Sequence, residues 1–193
     1  MKPLILTVCV FLMTSCSEDN CTRMLKDRSE MRVEAKDPLR SHAQKVFDRG
    51  IGWSNDAPPE PAEASFSIEK QVIMVKKGMS FEKAWIGFFF ESFNIGHSGE
   101  FREIYEKALE GKLSREEWVR ENTMVEYRAA QEFLTFSDSF LEPYFRLNGK
   151  SIEEIETIHF KYRSSFESWM ASPEDSYPWN YWGKYYDTYL KER

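Results

Sequence analysis

One segment, residues 81–94, constrains the fold more than any other because it is apolar on nearly every side of a helix. Its large apolar members are Trp85, Ile86, Phe88, Phe89, Phe90 and Phe93. A helix of this kind must be packed on several sides. Ser80 offers an N-cap before it, and the run from Ile95 to Gly99 can end it. We therefore expect a central helix around which the other elements assemble.

Other segments repeat apolar residues at helical spacing and are expected to supply the surrounding helices. They comprise residues 39–49, residues 100–109, the segments opened by the capping-box sequences at 114–117 and 151–154, and an aromatic segment after the turn at 173–178. For residues 66–76 we favour a helix, with a strand at 72–75 as the alternative. The pattern predicts an all-α fold, a single compact domain of about five to six helices over residues 38–193, with a Pro-rich crossing at 57–65.

The first fifteen residues have the layout of an export signal. Lys2 precedes an apolar run from Leu4 to Met13, which is shorter than the roughly 20 residues that span a bilayer. The sequence Met13-Thr14-Ser15-Cys16 resembles the lipobox of bacterial lipoproteins. This resemblance implies cleavage before Cys16 and lipidation of its thiol and amine.

A lipidated Cys16 would hold the chain at a membrane, since several acyl chains together bind a bilayer almost permanently. Residues 16–37 are charged and poor in apolar side chains, which is typical of a flexible tether. By resemblance to enterobacterial sorting, Ser17 favours the outer membrane, facing the periplasm or the cell surface. We therefore expect a lipid-anchored protein of the bacterial cell envelope.

Charge and cysteine usage exclude two classes of function. The net charge is −6, and removal of Lys2 with the signal leaves 25 basic against 32 acidic residues, which disfavours nucleic acid as a partner. Cys9 would leave with the signal and Cys16 would carry lipid, so Cys21 would be the one free thiol. No intramolecular disulfide and no thiol nucleophile in the folded domain are then expected.

Glu91 is the most informative polar residue because it interrupts the apolar helix and shares a face with Gly87 and Asn94. A buried carboxyl group must be hydrogen-bonded, paired or protonated. Residues 90–94 resemble the H-E-x-x-H helix of zincin metallopeptidases with both histidines replaced. The resemblance implies that Glu126, on a later helix, holds the place of a third, acidic ligand.

The departure from that motif argues against metal chemistry. Phe90 cannot bind zinc and Asn94 is a poor replacement for histidine, so Glu91, Asn94 and Glu126 form a candidate polar groove that would suit a hard cation at best. The three histidines, His42, His97 and His159, lie on separate segments, with His97 expected at the surface and His159 in or near the core. We predict no catalytic residue, no metal and no cofactor, and interpret Glu91 as a satisfied core residue.

The C-terminal segment is crowded with aromatic side chains, which suit stacking on sugars or anchoring a protein interface. The candidate binding surface comprises Trp179, Tyr181, Trp182 and Tyr185. The alternative is a docked helix face that completes the core, formed by Trp182, Tyr185, Tyr186 and Tyr189.

These features favour a membrane-anchored, non-enzymatic interaction or accessory domain, with an immunity-like or inhibitor-like role as one form. The partner would be a protein or an envelope polymer. The alternative is a hydrolase centred on Glu91 and Glu126, degenerate zincin-like or carboxylate-based. Approach of these two residues in a cleft would favour the hydrolase, whereas a sealed Glu91 paired to Arg102, Arg128 or a tyrosine would favour a structural role.

Overall fold

The computed structural model describes residues 38–54, 64–67, 70–173 and 176–191, without the side chains of residues 40 and 81. Within these ranges the fold is mostly helical, which confirms the predicted class, and it includes a small three-stranded sheet. The signal peptide, the tether with Cys16 and Cys21, and most of the Pro-rich crossing lie outside the described residues.

The elements follow in chain order and are numbered here from the first described one. They are α1 (Pro38–Asp48), β1 (Gly52–Ser54), β2 (Ala64–Ser67), β3 (Val72–Val75), α2 (Phe81–Gly96), α3 (Ser98–Leu109), α4 (Arg115–Phe136), a π-turn (Ser137–Leu141), α5 (Glu142–Leu147), α6 (Glu153–Tyr162), α7 (Phe166–Met170), a second π-turn (Trp179–Gly183) and α8 (Lys184–Tyr189).

The prediction of a helix at residues 66–76 was wrong, and the alternative prediction of a strand at 72–75 is confirmed. Strand β3 lies between β1, which runs parallel to it, and β2, which runs antiparallel. Gln71 has a φ of 52° between β2 and β3, a conformation that ends a right-handed helix. Ile73 and Met74 are fully buried. The predicted Pro-rich crossing overlaps the sheet, because its last residues, Ala64 and Ser65, belong to β2.

Helix α2 is central, as its composition predicts. The hydroxyl of Ser80 accepts a hydrogen bond from the Lys83 amide and caps the helix, which extends through Gly96, two residues beyond the predicted end. Phe88 and Phe89 are fully buried, and α2 contacts strands β2 and β3 and helices α3, α4 and α6. This packing on several sides places Glu91 inside the domain.

The two predicted capping boxes have different outcomes. Ser114 and Glu117 form the reciprocal hydrogen bonds of a capping box at the start of α4. This capping box fixes the start of the long helix α4, which places Glu126 in the middle of the fold. The prediction of a capping box at 151–154 was wrong. Ile152 occupies the N-cap of α6, and its side chain makes no capping hydrogen bond.

The core consists of two clusters of buried apolar side chains, and Tyr127 packs against both. One cluster surrounds α2 and the sheet. The other joins α3, the first half of α4 and the C-terminal segment, where Trp182 is buried. The space between α2, α4 and the C-terminal segment holds the candidate site.

Candidate functional site

A cavity of about 410 Å³ lies among α2, β2, α6 and the second π-turn. Its volume is in the range of small-molecule sites, which are usually concave and mostly apolar. Its apolar and aromatic walls include Ile86, Phe90, Phe101, Ile158, Tyr162, Tyr177, Tyr181 and Trp182. The cavity has the size and the lining of a ligand pocket.

The cavity brings together the two surfaces that sequence reasoning kept apart. Glu91, Asn94 and Glu126, the candidate polar groove, all line it, and so do Tyr181 and Trp182 from the candidate aromatic surface. Trp179 and Tyr185, the other members of that surface, lie elsewhere. The Trp179 indole donates a hydrogen bond to the Met170 carbonyl at 3.0 Å, and the Tyr185 ring stacks on Trp118 at 5.7 Å between centroids.

Glu91 is placed in the cavity by close packing of α2 on β2. Gly87, one turn before it, makes this approach possible, because a Cβ atom there would lie 2.8 Å from the Ala64 Cβ. The Asn94 amide donates a hydrogen bond to Glu91 Oε2 at 3.3 Å. Only 8% of Glu91 is exposed, and this burial raises the pKa of its carboxyl group to about 8. Glu91 is therefore largely protonated at neutral pH.

Glu126 enters the same cavity from α4 and is held by three aromatic donors. The Trp182 indole donates to Oε2 at 3.3 Å and the Tyr162 hydroxyl donates to Oε1 at 3.4 Å. The Tyr177 hydroxyl also bonds to Oε2. Burial raises the pKa of Glu126 to about 7, against the opposing effects of the Lys161 charge and the hydrogen bonds from Trp182 and Tyr162. The tyrosine partners foreseen for Glu91 thus belong to Glu126.

Lys161 is a cavity residue that sequence reasoning missed. Its ammonium group lies 4.8 Å from the centroid of the Tyr162 ring and 4.6 Å from that of Tyr177. Although the residue as a whole is exposed, these rings displace water from the ammonium and lower its pKa, while Glu126 opposes that effect. The spacing of residues 126, 161 and 177 in the sequence does not indicate that they lie close together.

The histidines lie outside this cavity. His42 contacts the Ser92 hydroxyl at 2.7 Å, and its pKa falls to about 4, first because it is buried and then because of Lys45 and Arg49. His97 is partly exposed, and its ring is held between Glu100 at 2.7 Å and Glu132 at 3.1 Å. Two carboxylates therefore account for the placement of this ring.

His159 is buried, as expected, and meets two acidic residues beside the first π-turn. Ligand atoms of Asp138, Glu142 and His159 lie within 4.8 Å of one another. Arg163 occupies the same place, however, 3.1 Å from Asp138 Oδ1 and 3.3 Å from His159 Nδ1. The guanidinium group already provides the positive charge that this cluster would offer to a cation.

Comparisons with protein-family models, curated proteins and solved structures find no match to this chain. Among the helices of the described ranges, none has the length and apolar composition needed to cross a membrane. The function is therefore inferred from the cavity and the sequence.

Proposed function

We propose that this chain is a membrane-anchored envelope lipoprotein whose helical domain binds a partner without chemical conversion. The observation that carries the proposal is that the candidate polar groove and two residues of the candidate aromatic surface, Tyr181 and Trp182, line one cavity. Acidic side chains from α2 and α4 and aromatic side chains from the C-terminal segment line a space large enough for a small molecule or a protruding side chain.

The anchor part of the proposal is supported by the lipobox-like sequence before Cys16. Intact mass spectrometry of the membrane-extracted protein is expected to give a chain that begins at Cys16 and carries lipid mass. A chain that retains earlier residues, or that begins elsewhere without lipid, would remove the anchor from the proposal.

The binding part is tested by narrowing the cavity. Ile158 lies half-buried on its wall, and Ile158→Trp adds an indole there. Phe160→Trp on the same helix is the matched control, since Phe160 is 89% exposed and does not line the cavity. The detergent-purified full chain is incubated with envelope extract and recovered, and its bound molecules are identified by mass spectrometry.

We expect one partner or ligand to be recovered with the wild type and with Phe160→Trp, and to be lost with Ile158→Trp. Equal recovery on all three proteins would place the binding surface elsewhere. Unchanged unfolding midpoints are required of both variants, so that a loss of binding reports on the cavity.

A second candidate, a carboxylate-based hydrolase, is favoured by the presence of Glu91 and Glu126 in the same cavity with pKa values of about 8 and 7. Carboxyl groups that titrate near neutrality can act as general acids or bases. The test is incubation of the purified chain with envelope peptides and glycans, followed by mass spectrometry. New products that disappear with Glu91→Gln and with Glu126→Gln would establish this function in place of the first.

A further inference from the structure

We propose that the cavity binds an organic cation, with an ammonium group held by Glu91 and Glu126 and an apolar body against the aromatic walls. This inference rests on the proposed binding function and adds the chemical class of the ligand. It is argued from the hydrogen-bonding groups, the rings and the charges of the described cavity residues.

Two buried polar atoms in the cavity wall are left unsatisfied within the part of the chain that the structure describes. The side-chain oxygen of Asn94 and the hydroxyl of Ser65 are buried in its wall and have no hydrogen-bond partner among the described residues. The Trp182 indole and the hydroxyls of Tyr162 and Tyr177 are already directed at Glu126. Buried polar atoms without partners are costly. The Asn94 oxygen can only accept and the Ser65 hydroxyl can accept or donate, so N–H donors on a ligand would satisfy both.

The aromatic part of the lining suits the body of such a ligand. Phe90, Phe101 and Tyr181 line the cavity together with Tyr162 and Trp182. Aromatic faces attract cations and also cover apolar groups. The Lys161 ammonium already lies over Tyr162 and Tyr177, so the protein itself uses these rings to hold a cation at the edge of the cavity.

When Glu91 and Glu126 are both ionised, the charged residues of the lining carry one net negative charge. Glu91, Glu126 and Glu154 provide three carboxyl groups, against the ammonium groups of Lys83 and Lys161. Lys83 and Glu154 form an ion pair at 2.6 Å. Lys161 offsets one more carboxylate when both buried glutamates are ionised, and a ligand with one positive charge would make the cavity neutral.

The protonation of Glu91 and Glu126 gives this proposal a measurable signature. Burial raises the pKa of Glu91 to about 8 and that of Glu126 to about 7, so a bound ammonium must displace a proton from the pair at mildly acidic pH. Binding of the amine is therefore expected to release protons and to strengthen as the pH rises through this range.

The experiment compares phenethylamine with 2-phenylethanol, a neutral analogue of the same shape, by titration calorimetry on the full chain in detergent. We expect the amine to bind at least about tenfold more tightly than the alcohol, with proton release detected in buffers of different ionisation enthalpy. Titration of each ligand into detergent alone measures the heat of its partitioning into micelles, which is then subtracted. N-acetyl-lysine methylamide, titrated in parallel, distinguishes a lysine side chain of a protein partner from a free amine.

Glu91→Gln and Glu126→Gln are expected to abolish the preference for the amine while leaving binding of the alcohol unchanged. Glu103→Gln, at an exposed position of α3, is the matched control and should behave as the wild type. If the alcohol binds as tightly as both amines, the inference is wrong and cavity binding stands. If neither amine binds, the inference is also wrong, and the capture experiment with Ile158→Trp decides the proposed function separately.

Discussion

Replacing Glu91 with glutamine is expected to stabilise the fold at neutral and mildly alkaline pH and to weaken its pH dependence. The carboxyl group has a pKa of about 8 in the folded protein against 4.5 as a free side chain. The folded state therefore binds this proton more tightly than the unfolded state does. The favourable contribution is complete below about pH 4.5 and is lost as the pH rises toward 8.

The expected size of this effect is large for a single substitution. Each raised carboxyl group lowers the free energy of unfolding by up to about 1.4 kcal/mol per pH unit between its unfolded and folded pKa values. Glutamine is a neutral analogue of the protonated acid. Glu91→Gln therefore removes the pH dependence that the ionisation of Glu91 gives to the free energy of unfolding. The gain over the wild type should reach roughly a few kcal/mol near pH 8 and vanish near pH 4.5.

Urea denaturation across this pH range measures the difference directly. Glu103→Gln, exposed on α3, should leave the wild-type curve unchanged. Parallel curves for Glu91→Gln and the wild type would show that Glu91 is ionised at neutral pH and would contradict the assignment.

Replacing Trp182 with alanine is expected to destabilise the fold by about 3–5 kcal/mol, as for other buried aromatic side chains. The indole is 6% exposed. It stacks on Phe101 at 5.8 Å and meets Trp118 edge-on at 6.1 Å. It also donates a hydrogen bond to Glu126, so its loss removes packing and one polar partner together.

Tyr189→Ala is the matched control for this change. Tyr189 belongs to the same aromatic C-terminal segment but is 59% exposed, so its removal should cost less than about 1 kcal/mol. Urea or thermal unfolding of both variants measures the contrast. Similar losses for the two residues would contradict the placement of Trp182 in the core and of Tyr189 at the surface.

The helices of this fold could be predicted because their signals are local. The apolar composition of residues 81–94 identified the central helix, and the hydroxyls of Ser80 and Ser114 marked helix starts at 81 and 115. Of the sheet, only β3 was considered, as the alternative to a helix, because β2 and β3 are four residues each and both pack against α2. Short apolar runs do not distinguish a buried strand from a buried helix.

Half of the candidate site could also be foreseen. A carboxyl group inside an apolar helix identified Glu91, and the resemblance to a zincin helix named Asn94 and Glu126 beside it. Lys161 and Tyr177 could not be foreseen, because they reach Glu126 through the packing of α6 and the C-terminal segment. For the same reason, the sequence could not show that Tyr181 and Trp182 lie beside the polar groove, since only the tertiary fold brings them together.

Glu91 and Glu126 line one cavity, and burial of both carboxyl groups makes them titrate near neutral pH. NMR titration of the side-chain carboxyl carbons, assigned with Glu91→Gln and Glu126→Gln, measures both pKa values. We expect midpoints of about 8 for Glu91 and about 7 for Glu126. Midpoints near 4.5 for both residues would mean that water reaches each carboxyl group, and would contradict the account.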